Sequence, residues 1–207
     1  MHIVIKAQPE RKSLLSSLFA HSPATISWVS HGNNPPQADA YFDDCFEAEG
    51  YAFHSVTKEP VFVNAVIETS RNLPANCIRY NGWPGFLRQP VLEVATAGKE
   101  GMIKAGSLLS ELQWKYIEAP DEPGMVSARV VAMIINEAYF GYGEAISSKE
   151  DIDTAMKLGT NYPYGPFEWS EMIGLHKIAA LLEKLSETSS SRYHIAPALK
   201  AALTNQK

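Results

Sequence analysis

The segment 119–124, APDEPG, divides the chain into two kinds of sequence. Two prolines, two acids and a glycine in so short a span interrupt both helices and central strands. Before the segment, short apolar runs alternate with turn-rich stretches, the rhythm of strands joined by helices or loops. After it, apolar residues recur at helical spacing. The resulting fold class is α/β plus all-α, with an α/β domain over 1–119 followed by an all-α domain over 120–207.

Within the first part, HIVI (2–5) reads as a strand, KSLLSSLFA (12–20) as a helix and ATISWV (24–29) as a second strand, a βαβ-like opening. HGNNPPQ (31–37) is a loop. ADAYFDDCF, PVFVNAVI, CIRYNGWP and PVLEVA each supply a β-prone segment for one mixed or parallel sheet. SLLSELQWKYIEA reads as a helix ending at Pro120. In the second part, Val126, Val130, Ile134 and Ala138, widened by Val131 and Ile135, make 125–142 an amphipathic helix. Capping boxes at 147–151 open a helix over 149–158, with Gly159 as its stop. Pro166 opens a third helix that carries Ile173, Ile178, Leu181, Leu182 and Leu185 inward, with Gly174 as its weak point. Pro197 starts a last helix bearing Leu199 and Leu203.

A chain of 207 residues can bury roughly 70% of its unfolded surface without staples. With 18 Lys+Arg against 23 Asp+Glu, its net charge of -5 argues against a nucleic-acid partner, because such affinity comes from neutralising phosphates. A charged fraction of 20% is low enough that a dimer covering apolar surface is expected. Cys45 and Cys77 lack the spacing of a zinc site or a disulfide framework. No stretch approaches the ~18 apolar residues of a membrane span, and the start is too brief for a secretory core, so the chain reads as cytoplasmic with no membrane partner.

Chemistry is first marked by what is missing. A dinucleotide-binding βαβ unit uses glycines to turn tightly and let backbone amides reach a pyrophosphate. Here the first strand is followed by Ala7-Gln8-Pro9-Glu10-Arg11, where Pro9 lacks an N–H and Glu10 adds negative charge. The six histidines form no HxxxH pair, and Asp43-Asp44 reads as a solvated turn, so no metal site is expected. RYNGWPGFL (79–87) and GTNYPYGPFE (159–168) are dense in aromatics, Gly and Pro, as walls of a cleft or as packing loops. In the packing reading, Trp83 and Phe86 sit at a sheet edge, Phe167 and Trp169 fill an interface, and Arg129 pairs with an acid such as Asp153.

Over 124–174, GMVSARVVAMIINEA and SSKEDIDTAMKLGTNYPYGPFEWSEMIG resemble the helical C-terminal domain of the 3-hydroxyacyl-CoA dehydrogenase family in order, spacing and turn residues. ADAYFDDCFE, PVFVNAVIETS and IRYNGWPGFLRQPVLEVA resemble the later strands of that family's nucleotide-binding domain. The resemblance implies a Rossmann-type domain holding NAD, a helical domain that dimerises, and a hydroxyacyl-CoA or ketoacyl-CoA substrate in the cleft between them. It also implies hydride transfer assisted by a His base oriented by a Glu. In this sequence the family's His falls on Asn81 and its Glu on Glu93. A family Asn in the first helix of the C-terminal domain falls on Ala128, beside the retained Arg129, and a family Asn near the cofactor falls on Asn64. Asn64, Asn81, Trp83, Arg129, Pro166 and Phe167 are the implied substrate site, with Glu93 as the remaining catalytic candidate.

Losing a general base alone costs about 10²–10⁴ in rate. The expectation is a shortened, degenerate Rossmann-like domain with NAD not bound in the usual way, a helical homodimer and an acyl-CoA ligand. Two alternatives stand beside it. One is an active NAD-dependent 3-hydroxyacyl-CoA oxidoreductase of fatty-acid metabolism that uses Glu93 as its acid/base group. The other is a non-catalytic subunit that pairs with a full-length dehydrogenase.

Overall fold

Continuous apolar runs without polar alternation make strands where both faces of a sheet are covered. In a computed structural model of the chain, which describes residues 1–30 and 34–205, four such runs are buried along their length or nearly so. They are β1 (His2–Lys6), β3 (Ala40–Asp43), β4 (Val61–Asn64) and β5 (Cys77–Tyr80). With β2 (Thr25–Val29), β6 (Leu92–Ala95) and β7 (Tyr116–Glu118) they form a seven-stranded sheet among the described residues, in the order β2-β1-β3-β4-β5-β6-β7. Strands β2 to β5 are mutually parallel, β6 is antiparallel to β5, and β7 is parallel to β6. The helices of this part are α1 (Lys12–Phe19), α2 (Phe46–Glu49) and α3 (Lys99–Glu111).

The chain divides into two compact units, Met1–Met125 and Val126–Lys207. The composition of APDEPG puts the expected border at 119/120. Several contacts tie 120–125 to the first unit: Asp121 pairs with the buried Arg79 at 2.6 Å and accepts the Ser70 N–H at 3.0 Å, the Glu122 carbonyl accepts Arg79 Nη2 at 3.2 Å, and the Gly124 N–H reaches the Val66 carbonyl at 2.8 Å. On one sheet face, Ile3, Ile5, Phe42, Phe62 and Tyr80 pack with Leu15, Leu109 and Leu112, and the Phe42 and Phe62 rings stack 4.5 Å apart. On the other, Val4, Tyr41, Val61 and Val63 pack with Phe53 and Val56.

SLLSELQWKYIEA is not one helix. It ends as α3 at Glu111, the chain reverses through Gln113 at φ 60°, and KYIEA supplies the edge strand β7. His31, Gly32 and Asn33 of the expected 31–37 loop lie outside the described residues.

The second unit holds α4 (Ser127–Gly143), α5 (Lys149–Thr160), α6 (Pro166–Ile173), α7 (Leu175–Ser186) and α8 (Pro197–Thr204). On α4 the buried stripe is Val131, Ala132, Ile135, Ala138 and Tyr139, whereas Val126 and Val130, expected inward, are 45% and 49% exposed. Asn136 joins this helix to the C-terminal segment, donating to the His194 carbonyl and accepting the Ala196 N–H, both at 2.9 Å. α5 runs past Gly159 and stops at Asn161, whose φ of 55° is left-handed. Gly174, at φ 96°, splits the expected third helix into α6 and α7.

Candidate functional site

In a parallel α/β sheet, ligands bind outside the carboxyl ends of the strands where the strand order reverses. Here β1 lies between β2 and β3, so the reversal falls between β1 and β3. Their terminal residues are Lys6 and Asp43, followed by Asp44, with Asn64 ending β4 and Asn81 and Gly82 leaving β5.

These ends are crossed by the protein's own polar side chains. Arg11, from the 3-10 turn Pro9–Arg11, grips Asp44 with both arms of its guanidinium, Nε to Oδ2 at 2.6 Å and Nη2 to Oδ1 at 2.8 Å. The same Nη2 donates to the Gly82 carbonyl at 2.7 Å. Burial would lower the Arg11 pKa, but the hydrogen bond and charge of Asp44 more than offset it and raise it. Tyr80 donates its hydroxyl to Asp44 at 2.8 Å, and burial followed by the Asp44 charge pushes its pKa far up. Asn64 donates to Asp44 at 3.4 Å and accepts the Gly82 N–H at 3.0 Å. A Cβ on residue 82 would lie 2.5 Å from Asn64 Cγ, so only glycine allows this approach. Lys6, buried, pairs with Glu49 at 2.7 Å, and the Gln8 amide also donates to Glu49.

Asp43-Asp44 is therefore no solvated turn. Asp43 is fully buried, accepts the Ala52 N–H at 2.8 Å and the Cys45 N–H at 3.3 Å, and burial raises its pKa to about 6. Among the described residues no group of three or more His, Cys, Asp or Glu is placed to hold a metal ion. Burial pushes the thiols of Cys45 and Cys77 up to about 11, far from the depressed values of reactive cysteines. No helix among the described residues is long and apolar enough to cross a membrane.

The antiparallel β5–β6 pairing brings Asn81 opposite Glu93. The Asn81 Nδ2 donates to Glu93 Oε2 at 2.9 Å, and the Asn81 N–H donates to the Glu93 carbonyl at 3.1 Å. Asn81 Oδ1 accepts the Trp83 N–H at 3.3 Å. Both side chains are buried. A carboxamide held this way orients well but has no lone pair basic enough to take an alcohol proton. Trp83 is fully buried, and its indole N–H donates to Glu47 at 2.7 Å. Glu47 in turn accepts the N–H groups of Val66 and Ile67.

Arg129, Pro166, Phe167 and Ala128 lie in the second unit. Ala128 is buried in α4. Phe167 is buried, its ring 4.9 Å from that of Tyr139. Asp153, offered from the sequence as a partner of Arg129, takes the N–H groups of Phe167 at 2.8 Å and Glu168 at 3.2 Å. A carboxylate there suits the positive end of α6. A Cβ on residue 165 would lie 2.3 Å from Asp153 Cγ, which accounts for the glycine in YPYGPFE. Glu168 accepts the Gly165 N–H at 2.9 Å and pairs with Lys157, whose hydrogen bond leads the effects holding its pKa low. The two motifs of the second unit, EDIDT and YPYGPFE, are thus halves of one helix cap.

A parallel-strand core with an antiparallel extension, followed by a five-helix unit among the described residues, is a Rossmann-like sheet domain with a helical domain after it. Residues 124–207 match the model of the 3-hydroxyacyl-CoA dehydrogenase C-terminal domain, and in this part the chain resembles the 3-hydroxyacyl-CoA dehydrogenase family. It is 51% identical over 69 residues to 3-hydroxyadipyl-CoA dehydrogenase of Escherichia coli, covering 33% of this chain and 14% of that protein. It is 28% identical over 172 residues to the mitochondrial hydroxyacyl-coenzyme A dehydrogenase of Sus scrofa, covering 79% of this chain and 53% of that protein. The matches thus span about half or less of these relatives' own length. The fold superimposes on (S)-3-hydroxybutyryl-CoA dehydrogenase of Ralstonia eutropha with a TM-score of 0.74 at 16% identity, covering 99% of this chain and 94% of that one.

Proposed function

We propose that this chain is a 3-hydroxyacyl-CoA dehydrogenase-like protein that has given up hydride transfer and retains a dimerising, acyl-CoA-binding role. The observation that carries the reading is Asn81: it keeps the hydrogen bond to Glu93 that would orient a base, at 2.9 Å, and cannot itself act as one. Glu93 remains as the one carboxylic acid of that pair.

The strand ends support the same reading. NAD's pyrophosphate needs free backbone amides at a glycine turn and a helix N-terminus. Pro9 has no N–H, the Arg11 N–H is spent on the Gln8 carbonyl at 3.0 Å, and Glu10 brings charge of the wrong sign. The Arg11 side chain is committed to Asp44 and Gly82. These residues do not fit the family's cofactor in its usual pose. Dimerisation is supported by the apolar groups that the helical unit exposes, Val126, Val130, Tyr142, Ile146 and Leu158.

Purified protein given acetoacetyl-CoA and NADH tests the reading. The expected outcome is no NADH oxidation above the protein-free rate, together with a rise in melting temperature on adding acetoacetyl-CoA alone and a dimer by light scattering. Saturable NADH oxidation abolished by Glu93→Gln would replace the reading with an active enzyme using a carboxylate base.

A further inference from the structure

Away from the strand-end network, the first unit holds a cavity of about 420 Å³, within the range of small-molecule sites. Three separate parts of the chain wall it: the end of α1, the loop between β5 and β6, and the reversal between α3 and β7. The buried Leu87 and Leu112 lie on its inner side, with Phe86, Leu92 and Trp114 beside them.

The walls are preformed. The indole N–H of Trp114 donates to the Leu18 carbonyl at 3.1 Å, and its ring lies 4.6 Å from Phe19 and 5.8 Å from Phe42. The reversal is fixed by the Gln113 N–H on Ser110 and the Trp114 N–H on Leu109, at 3.0 and 2.8 Å. It holds Gln113, a lining residue, at φ 60°, a left-handed conformation that a side chain adopts at a cost and that clusters at ligand sites. Opposite, the Phe86 and Gln89 N–H groups close successive turns on Trp83 and Phe86. The ionisable side chains among the lining residues are His21 and Lys115, both exposed, and no carboxylate lines the cavity although the chain as a whole carries net charge -5.

We infer that this cavity is a binding site for a medium-chain carboxylate, its alkyl chain against the leucines and Trp114 and its carboxylate between His21 and Lys115. An apolar trough rewards the chain by removing it from water. At the rim the Lys115 ammonium and a His21 ring N–H can both donate to an anionic head, which favours it over a neutral one of the same length. The site is independent of Asn81, Glu93 and the cofactor question, so it stands or falls separately from the proposed loss of hydride transfer.

Isothermal titration of the full chain with octanoate, and with octanol as the uncharged counterpart, tests the assignment. Octanoate is expected to bind saturably at one site, and octanol about tenfold more weakly. Replacing both rim residues, His21→Gln with Lys115→Gln, should erase that preference while leaving octanol unchanged. Gln89→Trp, which places an indole at an exposed lining position, should abolish binding of both. The assignment is overturned by the absence of saturable octanoate binding, by equal affinity for the two probes, or by binding that survives Gln89→Trp. Melting temperatures of the variants close to the parent's would show that lost binding is not lost folding.

Discussion

Asp44 in the first unit and Asp153 in the second are both buried carboxylates inside polar networks, and they do different work. Asp153 binds backbone: it takes two N–H groups at the start of α6 and so joins a motif on α5 to one on α6 only 14 residues later. Asp44 binds side chains, Arg11, Tyr80 and Asn64, that come from 33, 36 and 20 residues away. The first arrangement builds a helix, and any chain needing that helix can keep it. The second crosses the strand ends where an α/β sheet of this order offers a ligand site. The segments EDIDTAMKLG and YPYGPFE, which resemble the family most specifically, hold the first arrangement.

The largest expected effect separates the two networks by what each aspartate leaves behind. Asp44→Ala strands the Arg11 guanidinium and the Tyr80 hydroxyl in a buried site, and should cost about 3–5 kcal/mol in urea unfolding. The joint replacement Arg11→Met with Asp44→Leu removes both charges and should recover most of that loss. If Asp44→Ala cost less than Asp153→Ala, the contrast between the two sites would be reversed.

A second effect is carried by pH. The folded pKa of Asp43 is raised by burial from 3.8 to about 6, so the folded state holds its proton more tightly than the unfolded chain does. Its contribution is complete below about pH 4 and is lost as pH rises through about 6, an amount of up to about 3 kcal/mol. Urea midpoints across that window should fall with rising pH more steeply in the parent than in Asp43→Asn.

Asp153→Ala leaves two N–H groups of α6 without their acceptor and should cost about 1–3 kcal/mol. Amide exchange at Phe167 and Glu168 should quicken while that of the sheet is unchanged. Smallest of the set, Ser148→Ala removes the side chain that accepts the Asp151 N–H at 3.1 Å and should cost about 1 kcal/mol, read as a small shift in melting temperature.

The legibility of these features in sequence follows their physics. β1, β3, β4 and β5 show plainly because strands covered on both faces are continuously apolar. β7 is hidden: it is three residues long, lies at the sheet edge and follows a helix without a glycine or proline to mark the reversal, which falls instead on Gln113. On α4 the periodicity was legible but its phase was not, since two apolar stripes run along the helix and only tertiary packing decides that Val131 and Ile135 go in while Val130 stays out. Ser148 announced its cap because capping is local. Arg11, Asp44, Tyr80 and Glu47 gave no such signal, because strand order alone brings together residues so far apart in the chain. The Asn81–Glu93 pair was legible from the family resemblance, and its geometry came from the antiparallel pairing of β5 with β6.

We propose that the polar side chains crossing the strand ends of the first unit close them to a dinucleotide. Calorimetric titration of the purified chain with NADH tests it most directly. No saturable heat of binding and no change in melting temperature are expected; stoichiometric, saturable binding of NADH would contradict the closure of the strand ends.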